Sequence, residues 1–279
     1  MMHDPPVRYW HTLTTASLAE EVRRDPVVLL LLAAVEQHGP HLPLSTDLEI
    51  GMGIVAEAFR RLPHDLPAWV LPPLALGASL EHARFPGTLS LDASLLADVV
   101  HRVGRSVAAA GARRLLLFSS HGGNRHVMEE AGLRLRDELD LLVVKTHYLR
   151  FPRPDWVGIP EVEWEHGLHG GAVETAMMLH LRPELVREAE IREAPSLGLE
   201  LKESLRRVGP QGEASFSWLA GDLHPSGVAG DPRLADAGTG ARLVAHYGEA
   251  LAEVILETRA FPLERLSGLP RGRGALRDP

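Results

Sequence analysis

Glu36-Gln37-His38-Gly39-Pro40-His41-Leu42-Pro43-Leu44-Ser45-Thr46-Asp47 sets a carboxylate, an imidazole and a second carboxylate within one short stretch. Glu36 and His38 follow an apolar run two residues apart, so an extended chain points both side chains to the same side. Asp47 falls in the first turn of an expected helix, where the helix dipole favours the ionised form. Singly, each has a plain structural use: Glu36 as an arginine's partner, His38 as a loop histidine, Asp47 as a helix cap. Together they make a donor set for a divalent cation. The chain has no cysteine, so any such cation must be held through nitrogen and oxygen.

Two later segments bring more of the same chemistry. Phe118-Ser119-Ser120-His121-Gly122-Gly123-Asn124-Arg125 delivers His121 from the end of an expected strand. A Gly-rich strand-to-helix turn also suits phosphate, so a nucleotide- or phosphate-binding protein without hydrolysis, using the Gly122-Gly123 turn, is the alternative function. That turn lacks the Lys-Ser/Thr of a P-loop and the dinucleotide spacing, and it leaves Glu36, His38 and Asp47 without a purpose. In His169-Gly170-Gly171-Ala172-Val173-Glu174, Glu174 sits in the first turn of another expected helix, as a ligand or as a simple helix-start charge. His169 lies in the loop before it, free of helical constraint, and its alternative is a loop histidine bonded to backbone.

The elements that must position these groups alternate. Val27 to Ala34 is apolar throughout, as a strand covered on both faces is. Trp69 to Leu76, interrupted by Pro72-Pro73, Leu115 to Ser119 and Leu141 to Thr146 are further expected strands. Helices are expected from a capping box at Ser17-Leu18-Ala19-Glu20, from a second at Thr46-Asp47-Leu48-Glu49 to about Leu62, over Ala93 to Ala110, around Val127 to Leu139, and over Ala172 to Leu181. Leu199 to Val208 and Ala235 to Ala260 are two more, and Arg150 to Gly171 reads as a loop. This order predicts an α/β fold: a single-domain three-layer α/β/α sandwich with a mostly parallel sheet. The domain is expected over residues 1–266, followed by a disordered tail over 267–279. In such folds the carboxyl edge of the sheet is where ligands bind, and it is where Glu36, His38 and His121 emerge.

Bulk composition removes other classes. The net charge of −8 argues against a nucleic-acid partner, which calls for a basic footprint. No run reaches the roughly 18 apolar residues of a membrane span. Met1-Met2-His3-Asp4-Pro5-Pro6 has neither the basic nor the apolar region of a secretion signal, so a cytoplasmic location is expected.

The strings EQHGPHLPLSTD, SLEHARFPGTLSL, SHGGN and HGGAVET, in this order and with the stretch around Trp218 to Gly230, resemble the creatininase (creatinine amidohydrolase) family over roughly residues 26 to 235. The resemblance implies two divalent ions per chain, Zn, Mn or Fe, held by Glu36, His38, Asp47 and His121, with Asp47 bridging. The creatininase proper has a glutamate ligand two residues after that histidine, where this chain has Gly123, so Glu174 is expected to supply the compensating carboxylate. The family motif also carries an acidic residue where this chain has Ala172; both departures point away from creatinine itself as substrate. Two such ions bring a shared water's pKa toward neutrality, and the hydroxide attacks a C–N carbonyl whose oxygen a metal polarises. His169 is the candidate donor of a proton to the leaving nitrogen. Glu81 to Thr88 resembles the family's substrate-side loop, with His82, Gly87 and Thr88 at the pocket or, alternatively, a Pro-Gly surface turn. Asn124 and Trp218 complete the candidate substrate contacts, Trp218 having core packing as its alternative. The implied reaction is hydrolysis of a cyclic amide, a formamide or a peptide, and the His-Gly-Gly-Asn form leans toward the last two. Family membership further implies a homo-oligomer such as a hexamer.

Overall fold

The computed structural model describes residues 7–266, so the tail expected over 267–279 lies outside the described residues. Four strands, β1 (Val27–Leu32), β2 (Ala68–Val70), β3 (Arg114–Ser119) and β4 (Leu142–His147), form one sheet in the order β2-β1-β3-β4. Every pairing in it is parallel. The helices are α1 (Thr15–Glu21), α2 (Thr46–Arg61), α3 (Ala93–Ala109), α4 (Arg125–Leu139), α5 (Glu161–His166), α6 (Ala172–Leu181), α7 (Leu197–Leu201), α8 (Ala220–Leu223) and α9 (Ala237–Ala260). A two-residue parallel ladder, β5 (Val208–Gly209) with β6 (Ala214–Ser215), stands apart from the main sheet.

The uninterrupted apolar run of β1 is explained by what covers it. Val27, Leu29 and Leu31 join Leu116 and Phe118 in one core, against Ile50 and Ile54 of α2, Ala176 and Met177 of α6, and Leu243 and Tyr247 of α9. Val28, Leu30 and Leu32 turn the other way with Leu115 and Leu117, onto Leu96 and Val100 of α3 and Val127, Ala131 and Leu135 of α4. The period of two along the strands thus divides one sequence run between two helical layers, giving the three-layer α/β/α sandwich. No helix of the described residues is long and apolar enough to cross a membrane.

Several expected boundaries shift for local reasons. Helix α1 begins earlier than Ser17: Thr14 is the N-cap, its hydroxyl accepting from Ser17 N while Ser17 Oγ accepts from Thr14 N. No capping box opens α2, because the N-cap Ser45 makes no side-chain bond and the Thr46 hydroxyl donates to Pro43 O at 2.7 Å. The strand expected to reach Leu76 stops at Val70; Leu71 N still donates to Leu29 O at 2.8 Å, the prolines after it lack N–H groups, and Leu74 then bridges Leu32. The loop expected over Arg150 to Gly171 contains the short helix α5. The helix expected over Leu199 to Val208 is one turn, α7, since Leu205 and Val208 are exposed and give it no face to bury.

Candidate metal centre

Parallel register fixes which residues meet. Leu32 at the end of β1 is opposite Ser119 at the end of β3, so the segments that follow, with Glu36 and His121, leave the same sheet edge side by side. The β1 segment is held by Val35 bridging Leu89 and by Glu36 N donating to Leu44 O at 3.0 Å. Asp47 arrives in the first turn of α2 and Glu174 in the first turn of α6. His169 is carried by a short antiparallel bridge to Ala229.

These side chains converge in a buried cluster. Asp47 Oδ1 stands 3.6 Å from His38 Nε2, and Asp47 Oδ2 stands 3.5 Å from His121 Nδ1. Glu36 Oε1 lies 3.2 Å from His121 Nδ1, 3.5 Å from His82 Nε2 and 3.8 Å from His169 Nδ1. Among the described residues, three sets have ligand atoms mutually within 4.8 Å: Glu36-Asp47-His121, His38-His169-Glu174 and Glu36-His82-His169. The donor set fits a cation by its unpaired atoms. Glu36 Oε1 and Oε2, His38 Nε2 and Asp47 Oδ2 are buried without a hydrogen-bond partner among the described residues, where such atoms are ordinarily paired. The outer edges of the rings fit too. His38 Nδ1 donates to Glu36 O at 3.1 Å and His121 Nε2 to Ala78 O at 3.0 Å, and each turns its other nitrogen inward.

The charges are mutually dependent. Burial works against ionising Glu36, yet His121, His82 and His169 hold its carboxyl well below the usual range. Burial, reinforced by Glu36, pushes Asp47 up to about 7. Burial would lower His38 and His121, but Asp47 and Glu174 beside the first and Glu36 and Asp47 beside the second raise them to about 9 and about 10. The protons on these rings therefore stand where a cation would neutralise the same carboxylates.

His169 is deeply buried, with Nε2 on Gln37 O at 2.6 Å, and burial with the nearby His38 lowers it to about 4. Glu174 accepts from Gly170 N at 2.6 Å and from the Tyr148 hydroxyl at 3.4 Å, while remaining within ligand reach of His38. Thr88 accepts from Gln37 N at 3.1 Å, bracing the segment that carries Glu36. Gly87 is exposed, at φ +91°, over Leu44. Trp218 is half-buried, its indole N–H on Pro210 O at 3.1 Å. Asn124, a candidate substrate contact, lies inside the fold. It is fully buried, accepting from Ala78 N and donating to Ala33 O and Ser119 Oγ, so its amide is spent clasping loops. The turn at Gly123 is closed as well. A Cβ there would meet Ala78 O at 2.2 Å, whereas one at Gly122 meets nothing within 4 Å.

Glu163 was invisible among the charges of its loop. Its carboxylate accepts from Ala172 N and Asp231 N, both at 2.8 Å, tying the start of α6 to the segment beside Ala229. The only signal was indirect: a Cβ on Gly167, Gly171 or Gly230 would stand 2.4, 2.4 or 2.7 Å from Glu163 Oε1, so the glycines make its pocket.

The profile of the family described as creatinine amidohydrolase matches residues 11–255. A mycofactocin precursor peptide peptidase of Mycobacterium ulcerans is 35% identical over 226 residues, 79% of this chain and 80% of that protein. A creatinine amidohydrolase of Pseudomonas putida is 33% identical over 178 residues, 58% of this chain and 66% of its own. Among solved structures, one titled as the Mn form of creatininase has a TM-score of 0.70 at 26% identity, covering 89% of this chain and 97% of that one. A variant titled as the Zn-Zn type has the same score, identity and coverage. On the matched profile, the relatives and the shared fold, the chain is a hydrolase of the creatininase family.

Proposed function

We propose that the chain is a divalent-metal-dependent amidohydrolase with two ions, of Zn, Mn or Fe. One would be held by Glu36, Asp47 and His121, the other by His38, Asp47 and Glu174. The observation that carries this reading is Asp47, whose two carboxylate oxygens face different imidazoles at 3.6 and 3.5 Å. A bridging ligand has that disposition. Glu174, within ligand reach of His38, takes the place of the carboxylate that Gly123 cannot offer.

When bound, such ions supply a nucleophile from water at neutral pH and stabilise charge growing on a carbonyl oxygen. The protein's own residues manage the protons. His169 donates from Nε2 to Gln37 O, which leaves Nδ1 as a base facing Glu36. As the water oxygen bonds to the carbonyl carbon, its proton passes to Nδ1. When the C–N bond breaks, the same proton moves to the departing nitrogen and yields an amine and a carboxylic acid. Burial keeps bulk water from competing for that proton.

The substrate class is an amide whose C–N bond lies in a peptide, a formamide or a ring. The peptide reading is favoured by the M. ulcerans relative, which is a peptide peptidase by name. The same reading takes residues 1–266 as one hydrolase domain of a cytoplasmic homo-oligomer, a hexamer by family resemblance. The test is Asp47→Ala, assayed on amides, formamides and short peptides with added Mn or Zn. Loss of both bound metal and turnover is expected, and full metal occupancy in that variant refutes the assignment.

A further inference from the structure

His82 stands 3.5 Å from Glu36, farther than His121 at 3.2 Å and nearer than His169 at 3.8 Å, and Glu36-His82-His169 is one of the three sets with metal-ligand reach. What separates it is the group behind the ring. His38, His121 and His169 each set one ring nitrogen against a backbone carbonyl, which only accepts, so the outer nitrogen carries a proton and the inner one is the atom a cation would take. The outer Nδ1 of His82 instead meets the side-chain amide of Gln37, at 2.8 Å from Nε2.

The orientation of that amide is over-determined. Gly39 N donates to Gln37 Oε1 at 2.9 Å, and Gln37 Nε2 donates to Gly227 O at 2.9 Å. Turned over, the amide would set N–H against N–H at Gly39 and oxygen against oxygen at Gly227. Gln37 Nε2 therefore spends one hydrogen on Gly227 and presents the other to His82 Nδ1, which has to accept. An Nδ1 that accepts carries no proton, so the ring's single proton lies on Nε2, facing Glu36 Oε1 at 3.5 Å.

We infer that Gln37 fixes His82 as its Nε2–H tautomer, which turns an N–H toward the Glu36 carboxylate across 3.5 Å and excludes the Glu36-His82-His169 set as a place for an ion. The inference deepens the hydrolase reading by deciding which buried histidine orients a ligand instead of being one. Gln37 and His82 are positioning residues, linking the backbone of the Gly227 turn to Glu36.

The test is magic-angle-spinning NMR of the full chain with ¹⁵N-labelled histidine, metal-free and after loading with Zn, with His82→Gln identifying the resonances. The expected result is a bare, pyridine-type Nδ1 and a protonated, pyrrole-type Nε2 for His82 in both states. A protonated Nδ1, or an Nε2 shifted by bound metal, overturns the inference. In Gln37→Glu a carboxylate replaces the donor, so His82 is expected to move its proton to Nδ1, with turnover down at least tenfold. An unchanged tautomer in that variant removes Gln37 from the account. Should the variant fail to fold, the wild-type spectrum still decides. The two readings fail separately. A chain that takes up no metal sinks the hydrolase reading, while the metal-free spectrum still reports the tautomer.

Discussion

Gly123→Ala tests the packing that surrounds His121. The new Cβ would lie 2.2 Å from Ala78 O, 2.4 Å from His121 Nε2 and 2.8 Å from Glu81 Oε1. Ala78 O and His121 Nε2 are themselves bonded at 3.0 Å, so the methyl group intrudes directly on that pair. Overpacking of this kind costs about 1–3 kcal/mol. Separating a buried donor from its acceptor adds about 1–3 kcal/mol. At about 2–4 °C per kcal/mol for a chain of this size, Tm falls by roughly 5–20 °C. Metal affinity falls about 10–100-fold, as it does when the group behind a ligating histidine is disturbed. Gly122 supplies the control, for a Cβ there meets nothing within 4 Å, and Gly122→Ala is expected to shift Tm by less than about 2 °C. Thermal melts of metal-free protein, with metal titrations followed by calorimetry, read both effects. If the two alanine variants melt together and bind metal as wild type does, the account of Gly123 is wrong. A glutamate at 123 meets the same obstruction before its carboxylate can reach a metal.

Two more outcomes follow from groups outside the ligand set. Glu163→Ala strands the amides of Ala172 and Asp231, each worth about 1–3 kcal/mol, and loosens the first turn of α6. Its expected signature in metal titrations is weakened binding at the Glu174 site with the Glu36 site retained; equal weakening of both refutes the link. His41, buried with Nε2 on the Thr175 hydroxyl at 2.9 Å, is pushed by burial down to about 4. Between pH 6.5 and about 4 the unfolded chain binds a proton that the folded one refuses, so stability is lost as pH falls, by at most about 3 kcal/mol from this group. Chemical denaturation of metal-free protein across that range should show a shallower acid limb in His41→Asn, and an identical limb counts against the assignment.

What was legible in the sequence followed from strong local signals. The strands β1 and β3 are apolar on both faces, and the glycines and acids after them mark the sheet edge where Glu36, His38 and His121 meet. Asp47 was placed in the correct turn, although the capping box invoked for it does not form and the Thr46 hydroxyl turns back to Pro43. Less legible were roles set by distant backbone. Asn124 follows two glycines, and only the fold reveals Ala33 and Ala78 closing around it. Gln37 sits inside the first motif, yet its amide is oriented by Gly227, 190 residues away. Nothing in the order of residues near Glu163 announces the two amides it holds. Leu205 and Val208 have helical spacing but no layer to cover them, and spacing alone does not say which faces become buried.

The most direct measurement is anomalous diffraction from crystals loaded with Mn or Zn. Two peaks are predicted, both in contact with Asp47, one also touching Glu36 and His121 and the other His38 and Glu174. A single ion, or an ion with no contact to Asp47, contradicts the account.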